Sequence, residues 1–162
     1  MKNLASILRG QRVFVEAVGF VGTTGKVTPP EVEWEQAEVA GREIDTALLK
    51  PMEASLELHS MDTILWTAAK KRLGEGASFV IKRSITSGGK EQSVYFEIGG
   101  WVKKQGGNDG DVGKEDTTKV DINVQQYKLE VGGKVLYDID LENDIAIIDG
   151  KDVYDKLRKH IQ

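Results

Sequence analysis

The chain has 162 residues, of which 40% are hydrophobic and 30% are charged, and its formal net charge is −4. This length is enough to bury one sizeable core and is short for two, so we expect one domain over residues 1–162. The absence of cysteine excludes disulfides and thiolate chemistry, and is typical of a reducing compartment such as the cytoplasm. The acidic balance disfavours nucleic-acid binding by phosphate neutralisation. No apolar run approaches the length of a membrane span, so we expect no membrane binding by this chain alone.

Alternation of apolar and polar residues predicts a mainly β fold. The pattern recurs in eight segments, which span residues 12–18, 32–39, 52–58, 79–85, 93–98, 119–124, 127–131 and 135–141. In 52–58 and 119–124 the alternation is regular, so one face of each strand should be buried. Eight strands are enough for two packed sheets, and we expect a β-sandwich or an incomplete barrel.

The segment GFVGTTGKVT, residues 19–28, invites interpretation as a phosphate-binding loop because Gly25-Lys26 follows a predicted strand. The motif requires Gly at position 20 and Ser or Thr at position 27, where this chain has Phe and Val. Two prolines also follow where a helix should begin. We therefore expect a hairpin or a connection between strands.

The segment AGREIDTALLKP, residues 40–51, fits neither the helical nor the strand period well. It nevertheless holds three large apolar residues, Ile44, Leu48 and Leu49. Apolar side chains in such a loop indicate either a surface that contacts a partner or a segment that folds back on the chain's own core. We expect an extended loop, and both alternatives remain open.

Two segments have helical periodicity. The first, near Met61–Arg72, is amphipathic, has Ser60 as a candidate N-cap and ends in basic residues, so it should flank the sheets. The second runs from about Lys151 to His160, with Asp149 as a plausible cap and basic residues towards its C-terminus. We expect this short terminal helix to dock on its own chain or on a neighbour.

Glycine-rich segments interrupt the later strands. Residues 87–90, SGGK, predict a tight turn between two strands. Residues 103–116, KKQGGNDGDVGKED, hold four glycines among charged side chains and offer little to a core. We expect a long mobile loop there.

The segment YKLEVGGKVLYDIDLEN, residues 127–143, predicts a β-hairpin. Apolar residues alternate on both arms, and Gly132-Gly133 supplies the positive φ angles that a two-residue turn requires. The carboxylates of Asp138 and Asp140 fall on the polar face, where solvation explains them. The hairpin indicates a sheet with one solvent-exposed face and has no residues that suggest catalysis.

No group of residues has the pattern of a catalytic, cofactor or metal site. The acidic residues of 109–116 miss the calcium-loop spacing because Gly113 occupies a position that needs an oxygen ligand. His59 and His160 are the only histidines and share no apparent site. The tryptophans are scattered and favour packing over a base-stacking platform: Trp34, Trp66 and Trp101. We expect neither an enzyme nor a bound cofactor or metal.

Three pieces follow one another in a recognisable order: VTPPEV at 27–32 leading into a long strand, the hairpin of 127–143 with its trailing Asn143, and a short basic helix after IIDG at 147–150. In this order the chain resembles the major tail tube proteins of contractile-tailed bacteriophages and of the related R-type tailocins. The resemblance covers nearly the whole chain. It implies a sandwich or incomplete barrel flanked by a helix, in a protein that assembles rather than catalyses.

The resemblance also implies a set of partners. Members of this family form hexameric rings that stack into a hollow tube inside a contractile sheath. The expected partners are other copies of the chain, the sheath, the baseplate and the tape-measure protein. DNA would pass through the lumen without specific binding. Assembly would take place in the cytoplasm of the host bacterium, and the product would be a virion tail or a tailocin particle.

Two groups of residues acquire a role from the resemblance. Segment 40–51 resembles the family's extended loop towards adjacent subunits, which implies contacts between chains through Arg42, Ile44, Leu48 and Leu49. A row of carboxylates on one face of a strand is a candidate lining of the lumen: Glu31, Glu33 and Glu35. Six copies of a −4 chain would carry roughly −24, which would keep DNA from adhering. A solvated outer face, or one that pairs with the sheath, explains the row as well.

Two other functions remain as alternatives. A ring protein of a secretion tube that carries effectors would share the fold and place binding surfaces in the lumen. A monomeric β-barrel would instead hold a small ligand in its interior and stay monomeric at high concentration. The chain contains no information that separates a phage from a tailocin.

Overall fold

The computed structural model describes residues 5–15, 19–22, 24–59 and 76–162. The predicted helix near Met61–Arg72, with Ser60 and Trp66, lies outside these residues. Most described residues are in strands, followed by one short helix, α1 (Asp155–Ile161). In chain order the described strands are β1 (Ile7–Val15), β2 (Gly19–Gly22), β3 (Thr24–Thr28), β4 (Trp34–Val39), β5 (Arg42–Leu49), β6 (Met52–Leu58), β7 (Ala77–Ser87), β8 (Lys90–Gly107), β9 (Thr118–Val131), β10 (Lys134–Asp140), β11 (Ile145–Ile148) and β12 (Lys151–Asp152).

Ten of these strands form one antiparallel sheet that branches at β9. Along the main path the order is β12-β11-β10-β9-β8-β7-β1-β2. The second half of β9 pairs with β10, while its first half pairs with β6, which in turn pairs with β3. The sheet has free ends at β2 and β12 within the described residues, so it is open and not closed into a barrel. Strands β4 and β5 form a separate two-stranded sheet.

The core draws on strands from both sides of the branch point. Buried side chains from β6 and β9 and from β1, β7 and β8 belong to one hydrophobic cluster. In β6 the residues at alternate positions, Met52, Ala54, Leu56 and Leu58, are all buried, which confirms the predicted alternation. The mainly β fold class is therefore confirmed, with sheets that are open among the described residues.

The two long strands β8 and β9 change their pairing register where the sheet branches. Gly99 lies opposite Gln126 and Gly100 opposite Val124, so one residue of β9 is left over as a bulge. A Cβ atom added at Gly100 would lie 2.0 Å from the backbone oxygen of Asn123. Only glycine fits this close approach of two backbones.

The predicted tight turns are confirmed. Gly132 and Gly133 have φ angles of 58° and 85° and join β9 to β10, and Gly88 and Gly89 join β7 to β8. The segments predicted separately at 119–124 and 127–131 form one strand, β9. Residues 19–28 contribute β2 and β3, as expected of a strand connection.

Two local predictions are wrong. Segment 40–51 is not an irregular loop, because most of it forms β5; its side chains are nearly all exposed and so lack the burial pattern of a strand. Residues 103–107 of the predicted mobile loop complete β8 through backbone pairing with β9. The loop that remains is held at its neck by Asn108, whose side chain accepts a hydrogen bond from the N–H of Thr117; its mobility stays a prediction.

The C-terminal helix begins later than predicted. Lys151–Asp152 pair with β11, and Asp149, the predicted cap, lies in the turn before them with a φ angle of 48°. Asp152 holds the segment together, since its carboxylate accepts hydrogen bonds from Arg158 Nη2 at 2.8 Å and from the N–H groups of Tyr154 and Ala146 at 3.0 and 3.3 Å. Partial burial alone would raise the pKa of Asp152, but these hydrogen bonds outweigh it and hold the pKa below 3.8.

Replacing Asp152 with asparagine should therefore destabilise the protein by about 1–2 kcal/mol at neutral pH, because Arg158 loses a charged acceptor. A lowered folded-state pKa gives stability that is complete above 3.8 and is lost as the pH falls through the folded value. The difference between the two proteins in urea denaturation should accordingly shrink in strong acid. Asp149→Asn is the control and should change stability by less than about 0.5 kcal/mol, since Asp149 is exposed and asparagine tolerates positive φ.

Candidate assembly surface

The β4–β5 hairpin is largely exposed. Its two-residue turn consists of Ala40 and Gly41, with φ angles of 52° and 76°. No side chain in either strand is fully buried. A two-stranded hairpin alone is marginally stable in water, so we expect another surface to cover this one.

The two faces of this hairpin differ in chemistry. On one face Val39 lies opposite Arg42, and Ala37 lies opposite Ile44. Val39 and Ile44 are 53% and 47% exposed, so this face is apolar and open. The other face carries acidic and amide side chains, in the pairs Glu38 with Glu43 and Gln36 with Asp45. Opposed like charges weaken the pair, and an uncovered apolar face adds to the need for a partner.

The base of the hairpin is fastened to its own chain. Lys50 N–H donates to Glu33 O at 2.8 Å, and Lys50 Nζ lies 2.9 Å from Glu33 Oε1, a hydrogen bond that raises the pKa of Lys50. Leu49 N–H donates to the Tyr154 hydroxyl oxygen at 2.8 Å, and the Leu49 side chain packs on the core. Leu49 thus makes contacts within its own chain, while Arg42, Ile44 and Leu48 are exposed. Whether these four residues contact other copies stays a prediction.

An irregularity in β5 turns Leu48 outward. Asp45 Oδ1 accepts from Ala47 N–H at 2.9 Å, and Thr46 Oγ1 donates to Glu35 O at 2.8 Å. Ala47 has a φ angle of 55°, and the register shifts between Trp34 and Gln36. Leu48, which follows, is 44% exposed. The Asp45-Thr46 pair was the available sequence signal, since both residue types form such local bonds.

The predicted row of carboxylates is exposed, and two of its members line a groove. Glu31, Glu33 and Glu35 are all exposed, but they do not line one strand, because β4 begins at Trp34 and only Glu35 lies in it. Glu31 and Glu33 border a groove of about 430 Å³, which also has two prolines in its wall, Pro29 and Pro51. We call it the acidic groove, after its four carboxylates: Glu31, Glu33, Glu53 and Asp121. Sequence reasoning missed the last two because they occupy ordinary polar positions of β6 and β9.

The groove is partly neutralised by lysines. Glu33 is paired with Lys50, and Glu53 with Lys103. The hydrogen bond and charge of Glu53 raise the pKa of Lys103. Glu31 and Asp121 form no ion pair within the described residues. The groove therefore keeps an excess of negative charge beside apolar wall residues.

The expectation that the chain is not an enzyme stays a prediction. In the described part of the chain, no three His, Cys, Asp or Glu side chains are grouped so that they could hold a metal ion. His59 Nδ1 contacts Glu115 Oε1 at 2.5 Å at the surface, which ties the loop after β8 to the end of β6. Among the described residues, no helix has the length and apolar character needed to cross a bilayer.

Removing the Tyr154 hydroxyl should loosen the base of the hairpin. Tyr154→Phe leaves the partly buried Leu49 N–H without its acceptor, at a cost of about 1 kcal/mol, and speeds hydrogen exchange at Leu49. Denaturation and exchange measurements test both effects. Tyr95→Phe is the matched control, because the Tyr95 hydroxyl lies 3.4 Å from Glu97, too far for a strong hydrogen bond. Equal effects of the two substitutions would contradict the role of Tyr154.

The chain is similar to solved structures and to one family model. The solved structure described as "Crystal structure of Hcp protein" has 10% sequence identity and a TM-score of 0.47, with 81% of this chain and 95% of that chain covered. A likeness this distant carries no information about function. No curated protein matches the chain. The family model described as phage tail tube protein FII matches residues 5–161. That description names a structural component of a phage tail and no catalytic activity, and the chain belongs to this family of phage tail tube proteins.

Proposed function

We propose that copies of this chain form hexameric rings that stack into the inner tube of a contractile tail. Family membership over residues 5–161 supports a tube-forming structural role. The observation that carries the rest of the proposal is the β4–β5 hairpin, whose apolar face has no cover within the described chain. Other copies of the chain would provide that cover.

The contacts between copies use the exposed side chains of the hairpin. Arg42, Ile44 and Leu48 project from β5 and are available to a neighbour. Leu49 is partly buried against its own core and would contribute less to these contacts. An apolar face of this kind is typical of a permanent interface between subunits.

An unpaired sheet edge offers a second way to join copies. The first residues of β1 pair with β7 on one side and have no strand on the other within the described residues. Ile7 and Leu8 on this edge are exposed. A free edge promotes pairing with another chain, and in a ring the pairing would be productive and closed.

The charge of the chain suits a conduit. Six copies would carry roughly −24, and the exposed row Glu31, Glu33 and Glu35 would add to repulsion of DNA if it faced the lumen. Facing outward, the same row would meet the sheath. The further partners are the baseplate and the tape-measure protein, with assembly in the host cytoplasm and delivery as a virion tail or tailocin.

The experiment is to purify the chain and measure its mass by light scattering across a concentration series, with negative-stain electron microscopy of the concentrated sample. We expect hollow hexameric rings or tubes. A monomer at every concentration would contradict self-assembly and favour the ligand-binding alternative, although the large sheet of the described residues is open and not closed into a barrel.

A further inference from the structure

The tip of the β4–β5 hairpin presents two side chains that its own chain leaves uncovered. Arg42 and Val39 are directly opposed across the two strands and share one face. Arg42 is exposed and forms no ion pair within the described residues, and Val39 is about half exposed. The tip thus combines one cation with one apolar group.

The acidic groove offers the complementary chemistry. Two of its carboxylates, those of Glu31 and Asp121, have no ion-pair partner in the described part of the chain, while the other two are paired with lysines. Pro29 and Pro51 supply apolar surface beside them. A guanidinium can bind two carboxylates through its fork of donors. This suits a site where Glu31 and Asp121 stand outside ion pairs, although the charge of Asp121 also acts on Lys103.

A chain cannot join its own tip to its own groove. Glu33 at the groove and Val39 at the tip are six residues apart, and extended backbone rises about 3.4 Å per residue, so about 20 Å separates them. The complementary parts can meet only between copies.

We propose that the hairpin tip of one copy docks in the acidic groove of a second copy, with Arg42 facing the free carboxylates and Val39 against the prolines. This inference rests on the proposed function, because it names a contact by which copies join. Tip and groove are different surfaces of the chain, so the contact is heterologous and repeats from copy to copy. Such a contact builds rings or stacks, whereas a self-complementary patch closes as a dimer.

Introduced thiols can test this contact directly, because the chain has no cysteine. A variant with Ala40→Cys at the tip and Thr28→Cys at the groove retains every charge. The length of the hairpin far exceeds the roughly 7 Å between Cα atoms that a disulfide allows, so disulfides between the two sites form only between copies. Mild oxidation should give a ladder of covalent oligomers beyond the dimer on a non-reducing gel, and a reductant should collapse it.

Two further variants make the result specific. The matched control pairs Ala40→Cys with Ser93→Cys, an exposed position on β8 outside the groove, and should yield roughly tenfold less of the ladder. Adding Arg42→Glu to the tip and groove thiols should also reduce the ladder roughly tenfold, because like charges then meet.

The outcomes separate this inference from the proposed function. Rings or tubes of the wild-type chain, together with a ladder no stronger than that of the control pair, would show that the docking is wrong while self-assembly stands. The same conclusion follows if Arg42→Glu leaves the ladder unchanged. A wild-type chain that stays monomeric, with no ladder from the thiol pair, would overturn the proposed function and the docking together.

Discussion

Replacing Gly100 with alanine is expected to destabilise the protein by about 3 kcal/mol or more. The added Cβ would lie 2.0 Å from the backbone oxygen of Asn123 and 3.1 Å from the backbone nitrogen of Gln125. Both obstacles are backbone atoms of β9, which cannot rotate away as a flexible side chain does. Relief requires the bulge between β8 and β9 to open, and this bulge lies where the sheet branches towards β6 and β10. Urea denaturation of the purified chain measures the loss.

The matched control is Gly106→Ala in the same strand. A Cβ at Gly106 meets no atom within 4 Å, so the free energy of unfolding should change by less than about 0.5 kcal/mol. If both variants lost the same free energy of unfolding, the cause would be the loss of glycine flexibility in β8, and not the close approach at Gly100. A stable Gly100→Ala protein would mean that the two backbones do not approach as closely as the structure describes.

The sheet was predictable wherever one face of a strand is buried. In β6 and in the first half of β9, every second side chain is buried in the core. Apolar and polar residues therefore alternate in the sequence, and this alternation predicts a strand. The sequence of β5 shows no such alternation, because side chains on both of its faces are exposed. The turn that precedes β5 has Ala40 at a position with positive φ, where asparagine or glycine is usual. The end of β8 was missed for a related reason, since Lys103–Gly107 are held by backbone pairing and contribute few core side chains.

The candidate surface was predictable only in part. Ile44 and Leu48 stand out in the sequence as apolar residues without a helical or strand period, and the structure leaves both exposed. Glu31 and Glu33 stand out as a row, but the groove also needs Glu53 and Asp121. Those two come together because β6 pairs with β9, with Ser55 opposite Asp121. A contact between strands so distant in sequence leaves no local pattern.

The second large effect is expected on assembly. Ile44→Glu places a carboxylate on the open apolar face of the hairpin, next to Ala37 on the opposite strand. Covering that face with another copy would then bury an unpaired charge, at a cost of several kcal/mol. The concentration at which rings or tubes form should rise about 100-fold or more, measured by light scattering and by pelleting of assembled material. Because Ile44 is about half exposed in the single chain, thermal unfolding of the unassembled protein should barely change.

Leu48→Glu should act in the same direction, since Leu48 is also exposed on β5. The matched control is Val112→Glu, which introduces the same charge at a fully exposed valine in the loop after β8. There the carboxylate stays in water, so folding and assembly should both remain as in the wild type. Assembly of Ile44→Glu and Leu48→Glu at wild-type concentrations would remove the hairpin from the contacts between copies and leave the free edge of β1 to join them. A defect in Val112→Glu as large as theirs would instead point to total charge, because each variant adds one negative charge to a chain that already carries −4.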